Sequence, residues 1–412
     1  MKALVLAGGF PQIALIKELK GRGVTIALAD WNENPVARAY ADIFYQVSTL
    51  DVDAIKKITI EEKVDFLITA CTDQALLTVA KVSEDLGLPC YIDYQTALNV
   101  TNKSYMKKKF AEFGVPTAKF VVMGQLDRKA IKDMQYPLIV KPVDCNSSKG
   151  VKKVQNIEEL EIAFSQAVKA SRTHTAIIED FVSGEEISVD IFVEDGVAHV
   201  LCVSNSDKIA ADDKFVIFRA KYPAVASEAI LEQIRDTAQR IADAFGIRNS
   251  PMLVQLITDG KHVFVLEFSA RTGGGIKYQL IKRTSGFDVI KALVDLTIGI
   301  KPHVRTVAPE SNYLSNVFLY CQAGVFDHLE GFDELKEQHT ISDYALFKWK
   351  GAEFDGNVEN SGDRIACFTI QGDTPEEMVE KYALANRTLR VVSKDGKDIM
   401  RHDLLGELKF DV

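Results

Sequence analysis

Paired cysteines, long apolar runs and an excess of positive charge are all missing from this chain of 412 residues, and each absence removes a class of function. The six cysteines (Cys71, Cys90, Cys145, Cys202, Cys321, Cys367) stand singly, with no C-x-x-C and no Cys/His spacing that suits zinc. The seven histidines form no close pair at ligand spacing. No apolar run approaches the length of about 20 residues that a membrane helix needs. The opening MKALVLAGGF runs straight into a strand pattern, without the long apolar core and cleavage site of a signal peptide. A cytoplasmic address follows as the expectation. Acidic residues outnumber basic ones by 58 to 49, giving a formal charge of -9. Neither nucleic acid nor an anionic membrane is therefore expected as a partner. A polyanion must instead be met by a local cluster of donors. G-x-G-x-x-G is also absent, and Pro11 sits where a helix start would cradle a pyrophosphate, so Gly8, Gly9 and Asp30 do not make a dinucleotide site.

What remains is an ordinary globular composition, 47% hydrophobic and 26% charged, long enough for two or three domains. Over the first hundred residues short apolar strands (Lys2 to Ala7, Val24 to Ala29, 66–68) alternate with helices, and a further short strand is expected after Pro89. That alternation predicts a doubly wound parallel sheet. From Thr101 the pattern changes to a basic helix from Lys103 to Phe113, then strands and helices in an α+β body dominated by antiparallel pairs. Long helices are expected from Ser227 to Phe245 and from about Gly286 to Ile298. After Pro302 come short strands and one clear helix from Pro375 to Leu389, with Thr374 as its N-cap. The expected domains are 1–100, 101–305 and 306–412.

Four pieces of the middle region suit one task. Lys141 ends an apolar strand, where an ammonium can meet phosphate oxygens. Asp144 to Val151 is a small polar loop whose backbone N–H groups and hydroxyls can wrap phosphates, with Gly150 permitting close approach. Glu179, Asp180, Phe181 and Val182 lead through a turn to Glu186, offering backbone groups to an adenine and a carboxylate to ribose hydroxyls. Gln255 and Glu267 lie on neighbouring strands, and Glu267, Ser269 and Arg271 share a face because strand side chains alternate. Oxygen ligands there suit Mg²⁺, an arginine beside them can hold a developing anion, and Gly273, Gly274 and Gly275 form a backbone-lined substrate surface.

In this order, the pieces resemble the ATP-grasp superfamily, and the Glu-Phe-Ser-Ala-Arg-Thr-Gly-Gly-Gly run looks most like its carboxylate–amine ligase branch, the L-amino-acid ligases. The resemblance implies an N-terminal pre-ATP-grasp sheet domain, a central two-lobed ATP-grasp domain and a small C-terminal α+β domain. It assigns Lys103 and Lys141 to ATP phosphates and Ser147, Ser148 and Gly150 to a phosphate-covering loop. Glu179 to Val182 become the adenine segment and Glu186 the ribose carboxylate. Gln255, Glu267 and Ser269 become ligands of Mg²⁺ or Mn²⁺, and Arg271 faces the reacting phosphate or intermediate. Such families usually carry Asn where this chain has Ser269, a weaker ligand. The implied substrates are a small carboxylate and an amine or amino acid, joined through an acyl phosphate. Carboxylating and purine-pathway enzymes of the same fold are the alternatives, followed by a non-catalytic ATP-binding module. A homodimer is the default among soluble oligomers.

Overall fold

The computed structural model describes residues 1–145, 149–209 and 215–410. Ser147 and Ser148 lie outside the described residues. The strand Lys2–Leu6 pairs in parallel with Thr25–Asp30 on one side and Phe66–Ile68 on the other, and Ile43–Gln46 completes a four-stranded sheet. Alternation decides what covers it. Ala3 and Val5 meet Ile13, Ile16 and Leu19 of one helix, whereas Leu4 and Leu6 meet Ile55, Val79 and Val82 from the other side. The sheet is thus wound on both faces, as expected. The strand expected after Pro89 does not form, and residues 88–93 are irregular. Proline lacks the N–H that a ladder needs.

A second, antiparallel four-stranded sheet runs in the order Phe120–Met123, Ala176–Asp180, Leu138–Pro142, Lys152–Val154. Leu138, Val140 and Ile178 pack against Leu160, Phe164 and Ala167 of the helix Ile157–Ala170. The alternate positions, Lys141 and Glu179, therefore share the opposite face. Ile139 pairs directly with Glu179, which makes Lys141 its diagonal neighbour.

The largest sheet has eight antiparallel strands, in the order Val263–Ser269, Ser250–Thr258, Glu185–Glu194, Val197–Lys208, Ile217–Tyr222, Tyr313–Leu319, Ala366–Gly372, Asp343–Leu346. It runs without a break from the middle of the chain into the last hundred residues. Along Glu185–Glu194, Ile187, Val189 and Ile191 pack against Ile230, Ile234 and Ile241 of the helix Glu228–Phe245. The alternating residues Glu186, Ser188 and Asp190 are buried on the other face. Phe245 and Phe268 meet at 4.5 Å between ring centroids, and Phe110 lies 6.2 Å from Phe245, which fastens the helix Lys103–Glu112 to this sheet.

Helices that the sequence reading did not name include Val52–Glu61, Tyr94–Thr101, Phe332–Glu337 and, directly after the glycine triplet, Lys277–Ser285. The last ends at Gly286, whose φ of +74° stops it, and the next helix is Val289–Thr297. The helix Pro375–Thr388 is capped as expected, the Thr374 hydroxyl accepting from the Glu377 N–H at 3.2 Å. No helix among the described residues is long and apolar enough to cross a membrane.

Candidate active site

The helix Lys103–Glu112 starts at Asn102, whose side chain accepts from the Tyr105 N–H at 3.1 Å. Its buried stripe is Lys103, Met106, Lys107 and Phe110, the i, i+3, i+4, i+7 spacing of one helix face. Two of those four are lysines, and each meets a carboxylate. Lys103 Nζ lies 2.9 Å from Glu267 Oε2 and donates to the Cys145 carbonyl at 2.8 Å. Lys107, only 1% exposed, sits 2.7 Å from Glu179 Oε1, and donates to the Val265 carbonyl at 3.2 Å and to the Thr117 hydroxyl. Glu179 Oε2 is 2.5 Å from Lys141 Nζ. Burial drives the Glu179 pKa up, but Lys107 and Lys141 more than offset it and hold the carboxyl at about 2. Burial prevails at Lys107, whose pKa falls to about 8 despite Glu179.

The Glu179 side chain does not reach outward toward a base; it is an internal counter-ion, because strand alternation turns it to the same face as Lys141. What the segment 179–182 offers a nucleotide is backbone. The Asp180 and Phe181 N–H groups are already given to the Lys119 and Pro137 carbonyls, and Lys153 Nζ lies 4.0 Å over the Phe181 ring. Glu186 is paired too, its Oε2 lying 2.5 Å from Lys208 Nζ.

Gln255 and Glu267 are direct cross-strand partners, so their side chains leave the sheet together. Gln255 Nε2 reaches Glu186 Oε1 at 3.5 Å. Burial raises the Glu267 carboxyl and Lys103 lowers it further than that, so it is held below the usual carboxylate range. The described residues contain no group of three His, Cys, Asp or Glu side chains placed to hold a metal. One carboxylate, one amide oxygen and one hydroxyl nevertheless fit Mg²⁺, which binds through one or two carboxylates and takes its remaining ligands from phosphates and water.

Beyond Glu267 the strand delivers Ser269 and Arg271 to the N-terminal sheet. Arg271 Nε and Nη2 grip both oxygens of Asp73, at 2.9 and 2.6 Å, and Nη1 donates to the Thr272 carbonyl at 2.9 Å. Ser269 also hydrogen-bonds the Asp73 carboxylate. Burial opposes charge on Arg271, but the bidentate Asp73 more than offsets this and raises its pKa above the ordinary arginine value. The chain then passes over a second buried pair, Asp190 with Lys277, at 3.1 Å, and Lys277 Nζ also donates to the Ser204 hydroxyl at 2.5 Å. A Cβ on Gly273 would lie 2.9 Å from Lys277 Cγ and 3.1 Å from Asp190 Oδ1, so only glycine fits there. Gly275 has φ +67° and rests on the Phe318 ring. Asp190 Oδ1 and Thr272 Oγ1 are buried without a hydrogen-bond partner.

Lys103, Lys141, Glu179, Glu186, Gln255 and Glu267 thus form one linked cluster, and Ser269 and Arg271 extend it to Asp73, with Gly273 to Gly275 following. Sequence reasoning missed Lys107, Asp73, Lys208, Asp190 and Lys277. The i+4 spacing of Lys107 from Lys103 was the one available signal. Arg219 and Lys221 hold the last residues of the chain: Arg219 pairs with Asp207 at 2.7 Å and donates to the Gly406 and Glu407 carbonyls, and Lys221 donates to that of Lys409.

Comparison with known proteins fits this geometry. Residues 134–279 match the family model of the ATP-grasp domain. A formate-dependent phosphoribosylglycinamide formyltransferase from Pasteurella multocida is 24% identical over 396 residues, 95% of this chain and 96% of that protein. Among solved structures, an L-amino acid ligase from Bacillus licheniformis aligns over 95% of this chain and 98% of its own, with TM-score 0.80 and 20% identity. The biotin carboxylase domain of the Hydrogenobacter thermophilus 2-oxoglutarate carboxylase, solved with MgADP and bicarbonate, covers 98% of this chain and 92% of its own at TM-score 0.79 and 16% identity. At these identities the structural likeness is one of fold. The segment that matches the ATP-grasp domain model, residues 134–279, carries Lys141, Glu179, Glu186, Gln255, Glu267 and Arg271, while Lys103 and Lys107 lie before it.

Proposed function

We propose that the chain is an ATP-dependent carboxylate–amine ligase, working through an acyl phosphate and releasing ADP and phosphate. The observation that carries this reading is the convergence of Lys103, Lys141 and Glu267 beside Arg271. Lys103 and Lys141 hold the ATP phosphates. Glu267, Gln255 and Ser269 hold Mg²⁺, with Mn²⁺ as a substitute; the ion supplies charge neutralisation at the transferring phosphoryl group. A substrate carboxylate takes the γ-phosphate in line. An amine then attacks the acyl carbon and phosphate leaves, while Arg271 steadies the oxyanion. No side-chain nucleophile is needed, and excluding water protects the acyl phosphate. Gly273 to Gly275 line the carboxylate and amine positions.

The paired charges suggest how ligands enter. Lys103 and Glu267 are paired at 2.9 Å, and on binding Lys103 would hold phosphate and Glu267 would hold the metal, each keeping an opposite charge beside it. Little new charge has to be buried, which keeps the exchange inexpensive.

The test is ADP release by the purified chain with ATP, Mg²⁺ and pooled amino acids, with formate and bicarbonate in separate arms. Stimulation by an amino-acid pair, or by formate with an amine, is the expected result. The formate arm is included because the Pasteurella relative, covered over nearly its whole length, is named for formate. Dependence on bicarbonate alone would move the reading to the carboxylating enzymes, and no ADP under any condition would reduce it to a binding module.

A further inference from the structure

We propose that Lys107 is a positioning residue for the nucleotide: it never touches the ligand, but through Glu179 it sets how freely Lys141 can turn to a phosphate. This rests on the reading above that Lys141 binds ATP. The three side chains form a buried row, Lys107–Glu179–Lys141, with contacts of 2.7 and 2.5 Å, and each carboxylate oxygen is taken by a different lysine. Lys107 is fully committed. Its ammonium donates to the Thr117 hydroxyl and the Val265 carbonyl and is ion-paired at 2.7 Å with Glu179 Oε1, a buried oxygen with no hydrogen-bond partner. It therefore has nothing left to give a ligand, and its stem is closed in by the packing of Met106 and Phe110 on the same stripe.

Its effect lies in the competition for Lys141. A phosphate can recruit Lys141 only against the pull of Glu179. With Lys107 in place, the carboxylate is already neutralised from behind, and Lys141 is a shared, surplus cation. Without Lys107, one buried carboxylate faces one buried ammonium in a low-dielectric setting, and Lys141 is drawn down onto it. The row thus keeps one positive charge in excess and directs it at the phosphate. A purely architectural role is the rival: Lys107 also ties its helix to the Val263–Ser269 strand through Val265 and to the small sheet through Glu179, so its loss could weaken every ligand equally.

The two roles separate in a cycle of Lys107→Met, Glu179→Gln and the double variant of the full chain, measured as the Kd of Mg·ATP by calorimetry. Lys107→Met alone is expected to weaken binding roughly ten- to a hundredfold, the worth of one charge-assisted hydrogen bond. In the Glu179→Gln background the same change is expected to alter Kd by less than about threefold, because the carboxylate through which it acts is gone. Equal loss in both backgrounds, or no loss in either, overturns the proposal. Should Lys107→Met fail to fold with Glu179 left unbalanced, the double variant removes both charges together. A Kd matching that of Glu179→Gln then supports the proposal, and one ten times weaker overturns it. A wild-type chain that does not bind Mg·ATP sinks the proposal and the ligase reading together, whereas the cycle on a binding wild type tests Lys107 alone.

Discussion

The two halves of the proposed site use the same chemistry, buried carboxylates against buried cations, but assemble it differently. At the nucleotide end one carboxylate lies between two lysines, Glu179 with Lys107 and Lys141, and the partners come from a single helix and a small sheet. At the end proposed for the acceptor the ion pairs are Asp73 with Arg271 and Asp190 with Lys277, and they join strands, loops and helices far apart in the chain. The first arrangement leaves a cation in surplus, which suits a polyanion common to every ATP user. The second is neutral and fixed by tight backbone packing at Gly273, which suits a surface shaped to particular small molecules.

That contrast predicts how the ends break. The largest effect is expected at Glu267, which Glu267→Gln leaves isosteric while removing the one carboxylate for the metal. Turnover should fall on the order of a thousandfold, in line with the several kcal/mol a metal supplies. Assays of ADP release, with a circular dichroism spectrum unchanged, check it; full turnover would remove Glu267 from the metal site. Next, Asp73→Asn strands the Arg271 guanidinium in a buried place, and about 3 kcal/mol of stability should go with it. The acceptor KM is expected to rise more than the ATP KM, and a rise confined to ATP would blur the two ends. A glycine pair makes a subtler test. Gly273→Ala should cost about 1–3 kcal/mol by overpacking, whereas Gly274→Ala, with nothing near its Cβ position, should leave Tm almost unmoved.

The smallest effect is in the pH response. Lys107 is protonated below about 8, so Mg·ATP affinity should decline as pH rises through that value and Lys107 loses its charge. The charged groups facing it are Glu179, Lys141 and Glu267, and Glu179→Gln should flatten the decline. Glu179 works in the other direction. Its folded pKa of about 2 lies below its ordinary 4.5, so its contribution to stability is complete above 4.5 and is lost as pH falls toward 2. Thermal melts across that window, with and without Glu179→Gln, measure it.

The same contrast governs what could be read from the sequence. The parallel sheet, the Gln255–Glu267 pairing and the run from Ser269 to Gly275 follow from local periodicity, because each is carried by one strand or two adjacent ones. Lys107 was hidden in a run of three lysines that reads as a solvated face, although the helical spacing of 103, 106, 107 and 110 places it inside. Lys277–Ser285 was missed because a glycine triplet followed by basic residues resembles a loop; tertiary burial of Leu280 and Ile281 decides it. Asp73, Asp190 and Lys208 could not be found by spacing at all, since their partners lie 198, 87 and 22 residues away and only the folded topology brings them together.

The continuity of the eight-stranded sheet bears on how such a protein can be re-engineered. Strand Tyr313–Leu319 is hydrogen-bonded directly to Ile217–Tyr222, with Arg219 opposite Val317 and Lys221 opposite Ser315. Cutting the chain near residue 305 would not release a tidy module; it would open a six-residue edge in mid-sheet, ready to pair with another molecule. A chimera that borrows its last hundred residues from a relative must therefore inherit that strand in register, because a slip of one residue would exchange its two buried faces and set Ser315 and Asn316 against the wrong neighbours. The C-terminal quarter is grafted by its hydrogen-bond ladder, not by its linker.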